Sequence, residues 1–281
     1  MEITLVTTHP LDFLQSEFNH RFGYSLGLHL WKEGEYNFCR CFLETSSHPP
    51  DLEVRLKEQV AEVVAAFVIQ QLEPLLLAQI LLDQYEGWEL AEIKEICLRA
   101  RALLNPQGLV SQRLRKKLVA QEVLRYLEEN QFLNIDGFVR FRIPRYLAGL
   151  EEAVEEAVEQ YLEEKEHGEF ISLLRYFLET QESRVEKVHV VLCPGGGFQL
   201  FDSEERYLKD WDGFYIDMSN GDLHYEDLLI STLITLAPKL IIIHGADRSS
   251  PHVLATLVQV FGDRLLLCPG CCDCTESMDK G

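Results

Sequence analysis

Basic residues are scarce in this chain: 26 lysines and arginines stand against 46 aspartates and glutamates, for a formal charge of −20 over 281 residues. An envelope of that sign repels phosphate backbones, so binding to DNA or RNA would need a locally basic face. Secretory features are also lacking. Met1–Thr8 reads MEITLVTT, with no basic opening and no apolar run. The most apolar stretch, Val60–Leu82, is interrupted by Glu62, Gln70, Gln71, Glu73, Pro74 and Gln79. A bilayer span needs about 20 nearly uncharged residues, so this stretch is expected to be a buried helix in a cytoplasmic protein. Repeats and low-complexity segments are missing as well. Hydrophobic residues at 47% and charged residues at 26% are proportions of a folded chain, long enough for two or three substructures.

The pattern along the chain predicts a mixed α+β fold with a small α/β unit at 1–45, a helical region at 51–183, a second α/β unit at 185–268 and a cysteine-rich tail at 269–281. In the first unit Ile3–Thr7 is strand-like and Leu11–His20 helical, and Ser25–Trp31 and Asn37–Leu43 form a hairpin across Lys32–Glu35. Ser46–Pro50 punctuates the chain. Helices are expected at 51–82, 87–103, 109–130, 144–164 and 167–181, with a kink near Gly168. Between them Phe132–Arg142 reads as a hairpin turned by Asp136-Gly137. From Val185 the periodicity shortens. Val188–Leu192 and Phe198–Phe201 flank the turn Pro194–Gly197. Strands at Phe214–Asp217, Leu240–His244 and Arg264–Cys268, separated by helices at Tyr225–Ala237 and Pro251–Phe261, predict a short parallel sheet.

Two stretches resemble the YtxC-like family. In one, FLNIDGFVRFR leads into EEAVEEAVEQYLEEKEHGEFISLLRYFLETQE, within Phe132–Glu182. In the other, Ile230–Cys274, an apolar helix, the strand KLIIIH and a cysteine-bearing end follow in order. The resemblance covers roughly the last 150 residues well. It implies a role associated with spore formation with no assigned biochemical activity, and it carries no catalytic residues to this chain. Action mainly through a protein partner is the expectation that follows from finding no catalytic motif.

Eight cysteines without an export signal are expected to stay reduced, which makes metal binding the alternative to follow. Cys268, Cys271 and Cys274 have C-x2-C-x2-C spacing, and Cys272 offers a fourth thiolate. Soft thiolates suit zinc or an iron–sulfur cluster, and Cys193 or His244 are further candidate ligands. The second C-x2-C half of a zinc ribbon is missing. Asp217, His244 and Cys268 are predicted to end successive parallel strands, where open α/β sheets place ligands, so Asp217 and His244 are candidate cofactor contacts. Cys268 and His244 contain the elements of a nucleophile and base, but no catalytic motif surrounds them. The glycine run after Cys193 leads into a strand and carries no lysine, which suits a hairpin rather than a phosphate cradle.

Charge is uneven. Arg99–Arg125 holds seven basic residues against one acid, whereas Ile143–Glu186 holds twelve acids against four bases. Arg113, Arg115, Lys116 and Lys117 are therefore a candidate partner surface. Two helices followed by a wing-like hairpin with Arg140 and Arg142 would also fit a winged-helix DNA-binding regulator. The run Glu151, Glu152, Glu155, Glu156, Glu159, Glu163, Glu164 reads as the solvated face of an amphipathic helix.

Overall fold

The computed structural model describes residues 2–22, 26–43, 50–193, 197–204, 206, 208, 225–248 and 251–271. The fold is α+β, with two small mixed sheets, and the chain gathers into two units, Met1–Leu162 and Glu163–Gly281. The three-part division expected from the pattern, cut near Ser183, differs from this one.

In the first unit, β1 (Glu2–Thr7) leads into α1 (Asp12–Phe22), and β2 (Leu26–Glu33) and β3 (Tyr36–Leu43) form the expected hairpin. The strand order is β2-β3-β1-β4, with β4 (Phe132–Asn134) parallel to β1. Alternation puts Ile3, Leu5, Cys39 and Cys41 on the buried face. There they join Leu14 and Phe18 of α1, Leu56, Val60 and Val64 of α2 (Pro50–Phe67), and Val119, Val123 and Leu127 of α5 (Leu109–Glu129).

The apolar stretch after α2 runs through a single π turn, Val68–Leu72, into α3 (Glu73–Gln84). Pro74 explains the widened turn: it has no N–H to give, and its ring would meet the carbonyl four residues back. Leu52–Gln84 is long and apolar enough to cross a membrane, but Val63–Ile69, Leu72, Leu77 and Leu81 are buried against other protein elements. It is a core helix. α3 packs with α4 (Leu90–Leu103) and the first half of α7 (Pro144–Thr180) through Leu77, Leu81, Ile96, Ala100, Leu150, Val154 and Val158.

Two expectations are corrected here. Phe132–Arg142 is not a hairpin: after β4 it forms α6 (Ile135–Arg142). Asn134 caps this helix by accepting the Gly137 N–H at 2.9 Å, and Ile135, Phe138 and Val139 are buried at helical spacing. Asp136 tethers the helix start to the end of β1, accepting from the Thr7 hydroxyl at 2.7 Å, the Thr8 N–H at 2.7 Å and the Thr8 hydroxyl at 2.9 Å. The Asp-Gly step is thus a helix entrance rather than a turn. The second correction is at Gly168, where α7 continues without the expected break.

In the second unit the sheet order is β6-β5-β7-β8, from β5 (Lys187–Leu192), β6 (Phe198–Phe201), β7 (Leu240–His244) and β8 (Leu265–Leu267). β5 and β6 are the expected antiparallel pair, closed by a Cys193 N–H to Gly197 carbonyl bond of 3.1 Å. β5, β7 and β8 are mutually parallel in sequence order. Val188, Val190, Ile241 and Ile243 meet Leu229 and Leu233 of α8 (Tyr225–Leu236), Val253 and Leu257 of α9 (Pro251–Phe261), and Ile171 and Leu178 of α7. Both edges of β7 are taken, by β5 and β8. The expected strand Phe214–Asp217, with the candidate Asp217, lies outside the described residues.

Candidate functional site

The carboxyl edge of the parallel strands carries the most chemistry. His244 is the last residue of β7, and Gly245 (φ 68°) turns the chain away from the sheet. β8 ends at Leu267, and the Cys268 N–H donates to the Ile243 carbonyl at 2.9 Å, holding Cys268 beside the end of β7. Gly270, at φ 114°, then lets the chain return Cys271 toward the same point. The ligand atoms of His244, Cys268 and Cys271 lie within 4.8 Å of one another.

His244 is only 4% exposed, and both ring nitrogens have partners. Nδ1 is 3.3 Å from the Cys271 Sγ, and Nε2 is 2.8 Å from Nδ1 of His189 on β5. The two imidazoles are stacked, with centroids 5.1 Å apart. The register that pairs Val191 with His244 puts His189 one alternation back on the same sheet face. His189 was missed by sequence reasoning. Its signal was present: a histidine at an alternate position of an apolar strand, on the face away from Val188 and Val190.

Of the predicted ligands, Cys268, Cys271 and His244 come together, and Cys272 and Cys274 lie outside the described residues. Cys193 is half-buried, and its Sγ is 4.0 Å from the Val191 carbonyl.

The basic island divides. Arg115 is corrected: it faces inward and belongs to a buried polar node, not to a partner surface. Its Nε and Nη2 reach the Glu73 carboxylate at 3.2 and 3.1 Å, Nη2 meets the Asn105 Oδ1 at 3.2 Å, and Nη1 meets the Leu104 carbonyl. Glu73 is 2% exposed and also accepts the Tyr146 hydroxyl at 3.0 Å. Burial, then the neighbouring Glu73 charge and hydrogen bond, push the Tyr146 phenol well above its ordinary range, with Arg115 opposing. Lys116 pairs with Glu62 at 3.1 Å. Arg113 and Lys117 are exposed.

Alongside them, on the outward face of α5, Val110, Leu114 and Leu118 are 53%, 59% and 63% exposed at i, i+4, i+8 spacing. The wing of the DNA-binding alternative is lost with the hairpin, since Arg140 and Arg142 sit on α6.

Cys39 and Cys41 form a second thiol pair, buried with sulfurs 3.8 Å apart. The Cys41 thiol is pushed far up by the hydrogen bond to Cys39, then by burial. A thiol held protonated in a closed core is a packing group.

Among known proteins, the model of the YtxC-like family matches residues 58–266. The curated "Uncharacterized protein YtxC" of Bacillus subtilis (strain 168) is 28% identical over 159 residues, which is 55% of each chain. The chain thus spans about half the length of the curated relative it matches. No solved structure matches.

Proposed function

This chain belongs to the YtxC-like family, and from that premise we propose that it serves spore formation in the cytoplasm as a protein that binds another protein. The observation that carries the reading is the outward face of α5. Three large aliphatic side chains, Val110, Leu114 and Leu118, form a stripe beside the exposed cations Arg113 and Lys117. An isolated exposed leucine is ordinary, but an aliphatic stripe at helical spacing is the form an amphipathic partner helix recognises. The flanking cations select a partner with carboxylates beside its own apolar positions. A nucleic acid fits less well, because the chain's −20 charge opposes it and Arg115 and Lys116 are engaged within the fold.

The test is complementation in a spore-forming host whose own copy has been deleted. The deletion is expected to lower the count of heat-resistant spores, and the unmodified gene to restore it. The double variant Leu114→Asp, Lys117→Glu should fail to restore it while keeping the circular dichroism of the parent. Normal spore counts in the deletion strain would remove the sporulation role. Full rescue by the variant would remove this face.

A further inference from the structure

We propose that His244, Cys268 and Cys271 are ligands of one zinc ion at the carboxyl edge of the second unit's sheet. The inference is independent of the α5 face. In tetrahedral coordination a Zn–S bond of about 2.3 Å sets neighbouring sulfurs about 3.8 Å apart, with sulfur to nitrogen slightly less. The Cys271 sulfur and His244 Nδ1 are already at 3.3 Å, and the whole set lies within 4.8 Å. Small side-chain rotations close that difference. The ligands come from two secondary-structure origins, the end of β7 and the turn after β8, so the ion would clip the end of β8 to its neighbour.

The hydrogen bonding around His244 favours a metal over a bare thiol–imidazole pair. A ligating histidine must present one nitrogen lone pair and donate its other N–H to a fixed acceptor. Here Nδ1 faces the sulfur, and Nε2 is 2.8 Å from His189 Nδ1. With Nε2–H donating to His189, the Nδ1 lone pair of His244 is aimed at the ion. His189 is then the residue that orients the ligand without touching the metal. Two thiolates and an imidazole form a donor set that favours zinc over calcium, magnesium or manganese, which prefer oxygen. The fourth position would be taken by water, as in zinc sites with three protein ligands.

The experiment uses the full chain, purified under reducing conditions without chelator, then analysed for metal by mass spectrometry. About one zinc per chain is expected, as for a single tetrahedral site. Cobalt exchanged into the site should show the intense visible absorption of tetrahedral thiolate coordination. His244→Ala and Cys271→Ser should each cut zinc occupancy at limiting metal at least about tenfold, and His189→Ala should weaken it by about ten- to a hundredfold while leaving the stoichiometry at saturation intact. Cys193→Ser should bind as the parent does. A measurement on the parent alone guards against misfolded variants. Iodoacetamide should label Cys268 and Cys271 only after a chelator removes the ion, as read by peptide mass spectrometry. A reduced protein that takes up no added zinc would overturn the proposal. So would a Cys268–Cys271 disulfide that persists in reductant, iron with cluster absorption, or labelling indifferent to chelator.

Discussion

In the first unit, Glu73, Arg115 and Tyr146 form a buried polar cluster in which opposite charges answer each other. In the second, His244, Cys268 and Cys271 bring one imidazole and two thiols within 4.8 Å of one another. The difference teaches what each cluster is for. A carboxylate that is 2% exposed stays charged in a low-dielectric setting only if a guanidinium and a hydroxyl meet it, so the first cluster is complete as an element of the fold. The second would gain a comparable charge partner from the proposed zinc, whose binding would then add to the stability of the second unit.

The largest effect is expected on removing one partner of the complete cluster. Arg115→Ala strands the Glu73 charge inside the first unit and should cost about 3–5 kcal/mol in that unit's unfolding, read by denaturant titration with hydrogen exchange to assign the unit. The second unit's transition should not move. Replacing Glu73 and Arg115 together by leucine should be far less damaging, and equal damage from the double and single variants would refute the account of Glu73 as a charge held by its partner.

A pH-dependent effect of intermediate size sharpens the same contrast. The Tyr146 phenol is held protonated in the folded state at pH values where the unfolded chain releases its proton. The folded pKa is raised, so the stability this gives is full below the unfolded value of about 10 and declines as pH climbs beyond it. Tyr146→Phe should flatten that alkaline decline in the first unit, and an unchanged slope would show that the phenol does not titrate against Glu73.

The smallest effect has the opposite sign. Gly168 lies within α7, and an added Cβ there meets open space. Gly168→Ala should therefore raise the helix's stability by about 1 kcal/mol, measured as an upward shift in the thermal midpoint. A loss of stability would indicate a local distortion that alanine cannot follow.

Much of this was legible in the residues. Alternation located the first hairpin, and short apolar runs bounded by turn residues located β5, β7 and β8. The C-x2-C spacing and the position of His244 at a strand end picked out His244, Cys268 and Cys271, the three residues whose ligand atoms converge, while His189 behind them was missed. What escaped depended on partners far along the chain. Asp136-Gly137 carries a turn signal of its own, and only contact with Thr7 and Thr8, some 128 residues earlier, makes it a helix entrance. Arg115 sits in a basic run, and only Glu73, 42 positions away, draws it inward. Gly168 looked like a break because glycine weakens a helix, yet Ile171 and Leu178 pack into the second core and carry the helix through it.

The pairing of β1 with β4 has a consequence during synthesis. Thr4 lies beside Phe132, and Thr4 donates its N–H to the Gln131 carbonyl at 2.8 Å. β1 therefore leaves the ribosome well ahead of a neighbour encoded about 130 positions later. At about 5–20 residues per second that is a wait of roughly 6–26 seconds, in which one edge of β1 is open to any other extended segment. Cells that make this protein quickly would meet aggregation at that edge before any defect in the finished fold, and a chain re-ordered to begin near β4 would shorten the exposure.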